Sequence, residues 1–245
     1  MLITLVIIGI VAALTIPNLM TKYKQHVFEN QFKKSLYTIS QIVARTRSDL
    51  GVSRLGEYCS EYNKNNGGYY NAPECTKKLH DNIKLIAKTN YASWNSNIPY
   101  TVYRYPNTLK TYNNKANFGV SDNSVASINY AIKLADGSYI SFNVNNRVLF
   151  FSVDLNGAKQ PNRVGYDIFI FSLNNQNDAV SGFLNRIPDN TIKDEDTIND
   201  TYPFLTGTPC NLESTRTSNG IGCAYFALRN KCPYDDTKTY WECLK

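Results

Sequence analysis

Histidine is scarce in this 245-residue chain, paired Cys-x-x-Cys motifs are missing, and no charged residue precedes Lys22. Each absence excludes something. With only His26 and His80 and no Cys-x-x-Cys, zinc-finger spacing cannot be built. No G-x-S-x-G, no Walker A pattern and no H-E-x-x-H occurs, so no nucleophile elbow, phosphate loop or zincin helix is encoded. Cys75 and His80 would make a nucleophile–base pair, but Cys59 stands nearby as a disulfide partner for Cys75. No catalytic residue, metal ligand set or cofactor is assigned, and the chain is not expected to be an enzyme. Internal repeats and long low-complexity tracts are absent as well.

The uncharged opening is the most informative feature: "MLITLVIIGIVAALTIPNLMTKYKQ" carries no charge until Lys22 and Lys24. A secretory signal should begin with a basic region and end at a small-residue cleavage site, and neither is present. About 20 helical residues cover a ~30 Å hydrocarbon core, so the length suits a membrane span. Pro17 is out of place in an ordinary one, because its ring removes a hydrogen bond and crowds the carbonyl of Ala13.

All six cysteines, Cys59, Cys75, Cys210, Cys223, Cys232 and Cys243, follow the hydrophobic start. An even number without metal-binding spacing reads as a disulfide framework, which places the body outside the cytosol. Cys59 and Cys75 flank one Gly/Asn-rich loop and are paired with each other. Sequential pairing of the rest gives Cys210–Cys223 and Cys232–Cys243, and a crossed arrangement remains open. The basic residues Lys22, Lys24, Lys33 and Lys34, with Glu29 among them, would keep that flank cytoplasmic by the positive-inside rule. Basic residues ahead of Met1 would resolve the conflict. The formal net charge of +6 permits an acidic partner such as nucleic acid, though solubility is the simpler reading.

Beyond Pro17, Val27 or Phe28, Phe32, Leu36, Ile39 and Val43 recur at spacings of three and four, one apolar face of a helix. Gly51 is a natural stop, so one helix over residues 2–50 is expected, roughly 70 Å long. Residues 1–22 form its all-round apolar part, and 23–50 its amphipathic part, suited to packing on a sheet. Residues 51–124 read as a loop-rich insertion with a short helix at 76–89, its buried side marked by Leu79, Ile83 and Ile86. Residues 125–173 read as a four-stranded antiparallel meander: 125–134, a turn at Asp136-Gly137, 138–144, a turn at Asn145-Asn146, 147–154, and 166–173. Residues 174–245 form a polar, cysteine-bearing tail. The fold class is therefore α+β, a long N-terminal helix on an antiparallel sheet with a disulfide-stapled C-terminal region.

The run "MLITLVIIGIVAALTIPNL", with its spacing from Gly9 to Pro17, resembles the N-terminal helix of type IV pilins and type II secretion pseudopilins. The match is specific over residues 1–20 and fair over 21–50. The resemblance implies a pilin-like fold and a filament subunit, with a pseudopilin of a type II secretion system, and a minor one, as the leading reading. A minor pilin for DNA uptake or adhesion is the alternative on the same scaffold, and a membrane-tethered periplasmic domain without a polymer role is the third. The family's leader peptide, cleavage site and glutamate are not matched here. Met1 falls just after the position of that glutamate, which implies coding sequence upstream of Met1. Implied partners are other pilin or pseudopilin subunits, the inner-membrane assembly platform, and a prepilin peptidase acting on the precursor. The implied location is the bacterial inner membrane, single-pass, with a periplasmic or extracellular body. In the family such a helix serves lipid first and a helical filament core later. Leu, Ile and Val suit both, Gly9, Ala12 and Ala13 permit close helix approach, and the Gly-to-Pro segment is a place to unwind.

Three other stretches are weighed. "DLNGAKQPNRVGYD" (154–167) starts like a calcium loop with Asp154, Asn156 and Gly157, but Gly165 stands where a bidentate Glu is needed, so a tight turn is expected. "DEDTIND" (194–200) offers Asp194, Asp196 and Asp200, and some pseudopilins hold calcium in C-terminal loops. Ile198 interrupts the spacing, and a solvated acidic loop is the preferred reading. "YTVYRYPNTLKTY" (100–112) interleaves aromatic and basic residues as single-strand binders do, and surface tyrosines in a polar loop are the preferred reading.

Overall fold

The computed structural model describes residues 2–63, 68–71, 73–86, 109–118, 131–145, 148–157, 159–173, 177–182 and 210–244. Its first element, α1 (Leu2–Leu50), runs unbroken through Pro17. It ends where Gly51 takes φ 63°. Gly51 N–H then donates to Ser48 O at 3.1 Å and Val52 N–H to Arg47 O at 3.2 Å, a Schellman closure open to a residue without Cβ.

After α1 come α2 (Leu55–Cys59), β1 (Ser60–Asn63), β2 (Gly68–Asn71) and α3 (Pro73–Ile86). The short helix expected at 76–89 thus begins three residues earlier, with Pro73 at its first position, where its missing N–H costs nothing. Leu79 and Ile83 are fully buried, and Ile86 packs at the edge of the same core. Between α3 and α1, the Asn82 amide donates to Thr46 Oγ1 and Asp49 Oδ2, each at 3.1 Å, so the buried polar contact is satisfied.

The main sheet has five strands rather than four: β3 (Ile132–Lys133), β4 (Tyr139–Asn145), β5 (Val148–Asp154), β6 (Ile168–Leu173) and β7 (Val180–Ser181), all antiparallel in that order. A two-residue β7 is too short to show alternation, which is why it is missed in sequence. Of the first expected strand, residues 125–130 lie outside the described residues; of the expected Asn145-Asn146 turn, Asn145 instead ends β4 and Asn146 lies outside them. The Asp136-Gly137 turn is present: Leu134 N–H donates to Ser138 O at 2.8 Å, and Asp136 Oδ1 accepts from Ser138 Oγ at 2.6 Å. Register aligns Ile132, Ile140, Val153 and Phe169 in one cross-strand row, and Phe142, Phe151 and Phe171 in the next. These two rows belong to the core shared with the helix.

The sheet's other face is covered too. Tyr139, Phe150, Ile168 and Ile170 pack under Leu109, Val164 and Ile221, single apolar residues supplied by loops. The C-terminal region adds α4 (Cys223–Leu228) and a 3₁₀ turn, Trp241–Cys243. Tyr240 and Trp241 join the helix-side core, so the tail completes the body. Gly165, at φ 85°, lies so close to Cys223 that a Cβ there would overlap the sulfur. Only glycine serves both needs.

Candidate functional site

The molecule divides along a single helix. From Phe32 onward, α1 is core: Phe32, Ile39 and Val43 are buried, and Phe28 and Leu36 are half-buried against the same cluster. Ile42, Ser35 and Thr46 are buried on that face as well, and the sequence reading overlooked them. Phe32 is the hub. Its ring meets Phe169 edge-on at 4.8 Å, Phe171 at 5.4 Å and Trp241 at 5.4 Å. Two residues on, Lys34 Nζ reaches Asp136 Oδ2 at 2.7 Å and ties the helix to the β3–β4 turn. That contact, with bonds from Ser138, holds the Asp136 carboxyl below its ordinary value against the burial that would raise it.

Before Lys22 the described side chains of the same helix are exposed, apart from a half-buried Ala12. Ile8 is 64% exposed, Leu14 69% and Leu19 69%, and Val6, Ile10 and Val11 stand equally bare. An apolar surface of this extent, uncharged on every side, is not stable in water and marks a surface covered by lipid or protein. By length and composition the helix is apolar enough to cross a membrane, and none of the apolar stretch that begins at Val6 is buried in the body.

Within this bare half, Gly9, Ala13 and Pro17 follow one another at intervals of four, with Ala12 beside them, so the four small or rigid residues share one side. A Cβ placed on Gly9 would meet nothing within 4 Å. Glycine inside a helix costs about 0.5–1 kcal/mol relative to alanine, and no contact among the described residues requires it. The hydroxyls here are internally satisfied: Thr15 Oγ1 donates to Val11 O at 2.8 Å and Thr21 Oγ1 to Pro17 O at 3.0 Å. Such back-bonding removes the cost of carrying a hydroxyl into an apolar phase.

The cysteines are joined in sequential pairs: Cys59–Cys75, Cys210–Cys223 and Cys232–Cys243, with Cα separations of 5.4, 4.9 and 5.9 Å. Cys75 therefore carries no thiol, and its pairing with His80 as nucleophile and base does not exist. His80 instead sits edge-on to Phe142 at 4.8 Å. Burial lowers its pKa to about 4, against the raising effect of Asp81. Among the described residues, no three His, Cys, Asp or Glu side chains gather at one point. The 154–157 stretch is a turn in which Asn156 N–H donates to Asp154 Oδ1 at 3.1 Å. Asp194, Asp196 and Asp200 lie outside the described residues, as do residues 100–108 of the aromatic-basic stretch.

One structural contact had no signal in sequence. Asp178, buried at the start of α2, accepts from Leu55 N–H at 2.8 Å and Gly56 N–H at 3.0 Å, with the Arg47 guanidinium 3.6 Å away. A loop aspartate thus locks the end of α1 to the strand side of the body. No protein-family model, characterised protein or solved structure matches this chain.

Proposed function

We propose that this chain is a structural subunit of a pilin-like filament, a minor pseudopilin of a type II secretion system that serves protein export across the outer membrane. The observation that carries the reading is the continuity of α1: its amphipathic half is the core of a disulfide-closed body, and its uncharged half is bare. A helix of this kind supports anchorage in the inner membrane first and helix bundling later. Gly9, which no contact among the described residues explains, favours a close helix neighbour over a plain anchor. Three disulfides suit a body held in the periplasm. The partners are other pilin-like subunits and the inner-membrane platform that assembles them.

Disruption of the gene in its native host tests this reading. Proteins bound for the outside should accumulate in the periplasm, and a Gly9→Leu copy should fail to restore export while still fractionating with the inner membrane. Normal export in the disrupted strain would contradict the secretion role.

A further inference from the structure

Just past the uncharged run, α1 and the loop that follows β5 form an open, groove-like pocket of about 500 Å³. Three cations line it, Lys24 from the helix and Lys159 and Arg163 from the loop, and among the described residues no carboxylate does. The acids closest in sequence are engaged elsewhere. Glu29 pairs with Lys33 at 2.6 Å. Asp167 is buried and accepts the backbone N–H groups of Asn162 and Arg163 at 2.9 and 2.7 Å. Arg163 is held in place: its guanidinium lies 4.7 Å over the Tyr166 ring and donates to the Tyr112 carbonyl. Among the described residues, Lys24 and Lys159 enter no ion pair.

The pocket also offers acceptors. Gln31 Oε1 and Asn156 Oδ1 are buried without a hydrogen-bond partner. The Asn156 amide nitrogen is already committed to Gln160 O at 3.3 Å, which leaves its oxygen to accept. A ligand that suits cations and acceptors together carries an anionic group and hydroxyl donors on one small frame. The position narrows the choice further. Lys24 follows the last uncharged residue, Thr21, by three positions, or roughly 4.5 Å along the helix. A bilayer's polar layer extends about 5–8 Å beyond its hydrocarbon on each side.

We propose that this pocket binds the headgroup of phosphatidylglycerol, its phosphate against Lys24, Lys159 and Arg163 and its glycerol hydroxyls donating to Gln31 and Asn156. The proposal rests on α1 being a membrane anchor. The pocket then fixes how deep the helix sits and how the body is oriented over an anionic leaflet.

The test uses the full chain in nonionic detergent, titrated with short-chain phosphatidylglycerol or phosphatidylcholine and read by native mass spectrometry. Phosphatidylglycerol should bind about tenfold tighter, as expected where several basic side chains meet an anionic lipid. The Lys24→Gln, Lys159→Gln pair should abolish the preference, and the Lys22→Gln, Lys231→Gln pair, an equal loss of charge outside the pocket, should keep it. All four lysines are exposed, so neither pair threatens the fold. Equal affinity for the two lipids, equal loss in the two pairs, or displacement by free glycerol phosphate as readily as by the lipid would overturn the proposal. Flotation with phosphatidylcholine vesicles reads the anchor separately. A chain that floats yet shows no headgroup preference contradicts the pocket alone, and one that does not float contradicts the anchor.

Discussion

The rings of Phe32 and Trp241 meet nearly edge-on at 5.4 Å, joining the N-terminal helix to the last turn of the chain. Tyr240 and Phe169 complete the cluster, with Phe169–Trp241 at 5.8 Å and Tyr240–Trp241 at 5.2 Å. The tail therefore helps hold the helix against the sheet. Phe32→Ala or Trp241→Ala should each destabilise the body by about 3–5 kcal/mol, as buried aromatic truncations do. Because the two rings touch, the double variant should cost less than the sum of the singles. Urea denaturation checks both points, and strictly additive losses would show that the contact is not shared.

Asp178 gives a second test, at the junction of α1 and α2. Its backbone lies at φ 55°, which Asn tolerates, so Asp178→Asn keeps the conformation while turning one acceptor into a donor facing an N–H. One buried N–H then lacks a partner, and the loss should be about 1–3 kcal/mol. An unchanged denaturation midpoint would show that Leu55 and Gly56 do not depend on this carboxylate.

Asp167 makes stability depend on pH with an unusual sign. Burial raises its pKa from 3.8 to about 6, although backbone N–H groups of Arg163 and Asn162 oppose the rise. Between those two values the folded chain keeps a proton that the unfolded chain has released. The contribution is fully present below the unfolded value and is lost as the pH rises through about 6. Two units correspond to at most about 3 kcal/mol. Relative to Asp167→Asn, the wild type should lose stability from about pH 4 to about pH 7, and parallel curves would refute the assignment.

The helix was legible in the sequence because its apolar spacing and its glycine stop are local signals: periodicity from Phe32 to Val43 and Gly51 at the end. The central strands were legible for the same reason, alternation between turns. What was not legible depends on single residues brought together by folding. Val164 and Ile221 cover the far face of the sheet from loops without any period, and β7 is two residues long. Trp241 and Asp178 lie in segments that read as polar and irregular, and nothing local says that one meets Phe32 and the other caps α2. The pocket beside α1 joins Lys24 to Arg163, residues far apart in sequence, a pairing that only the fold creates.

The bare half of α1 is the center of the functional reading, and its neighbours in the cell can be read directly. A photo-crosslinking amino acid replaces Ile8, which is 64% exposed, and in a second strain Tyr37, equally exposed at 64% but beside the folded body. The native host is irradiated, and adducts are resolved by denaturing electrophoresis and mass spectrometry. Position 8 should give covalent products with copies of this chain or other pilin-like subunits, and Gly9→Leu should suppress them. Irradiation at position 8 that yields lipid adducts but no protein adduct would contradict a filament role and leave a membrane tether in its place.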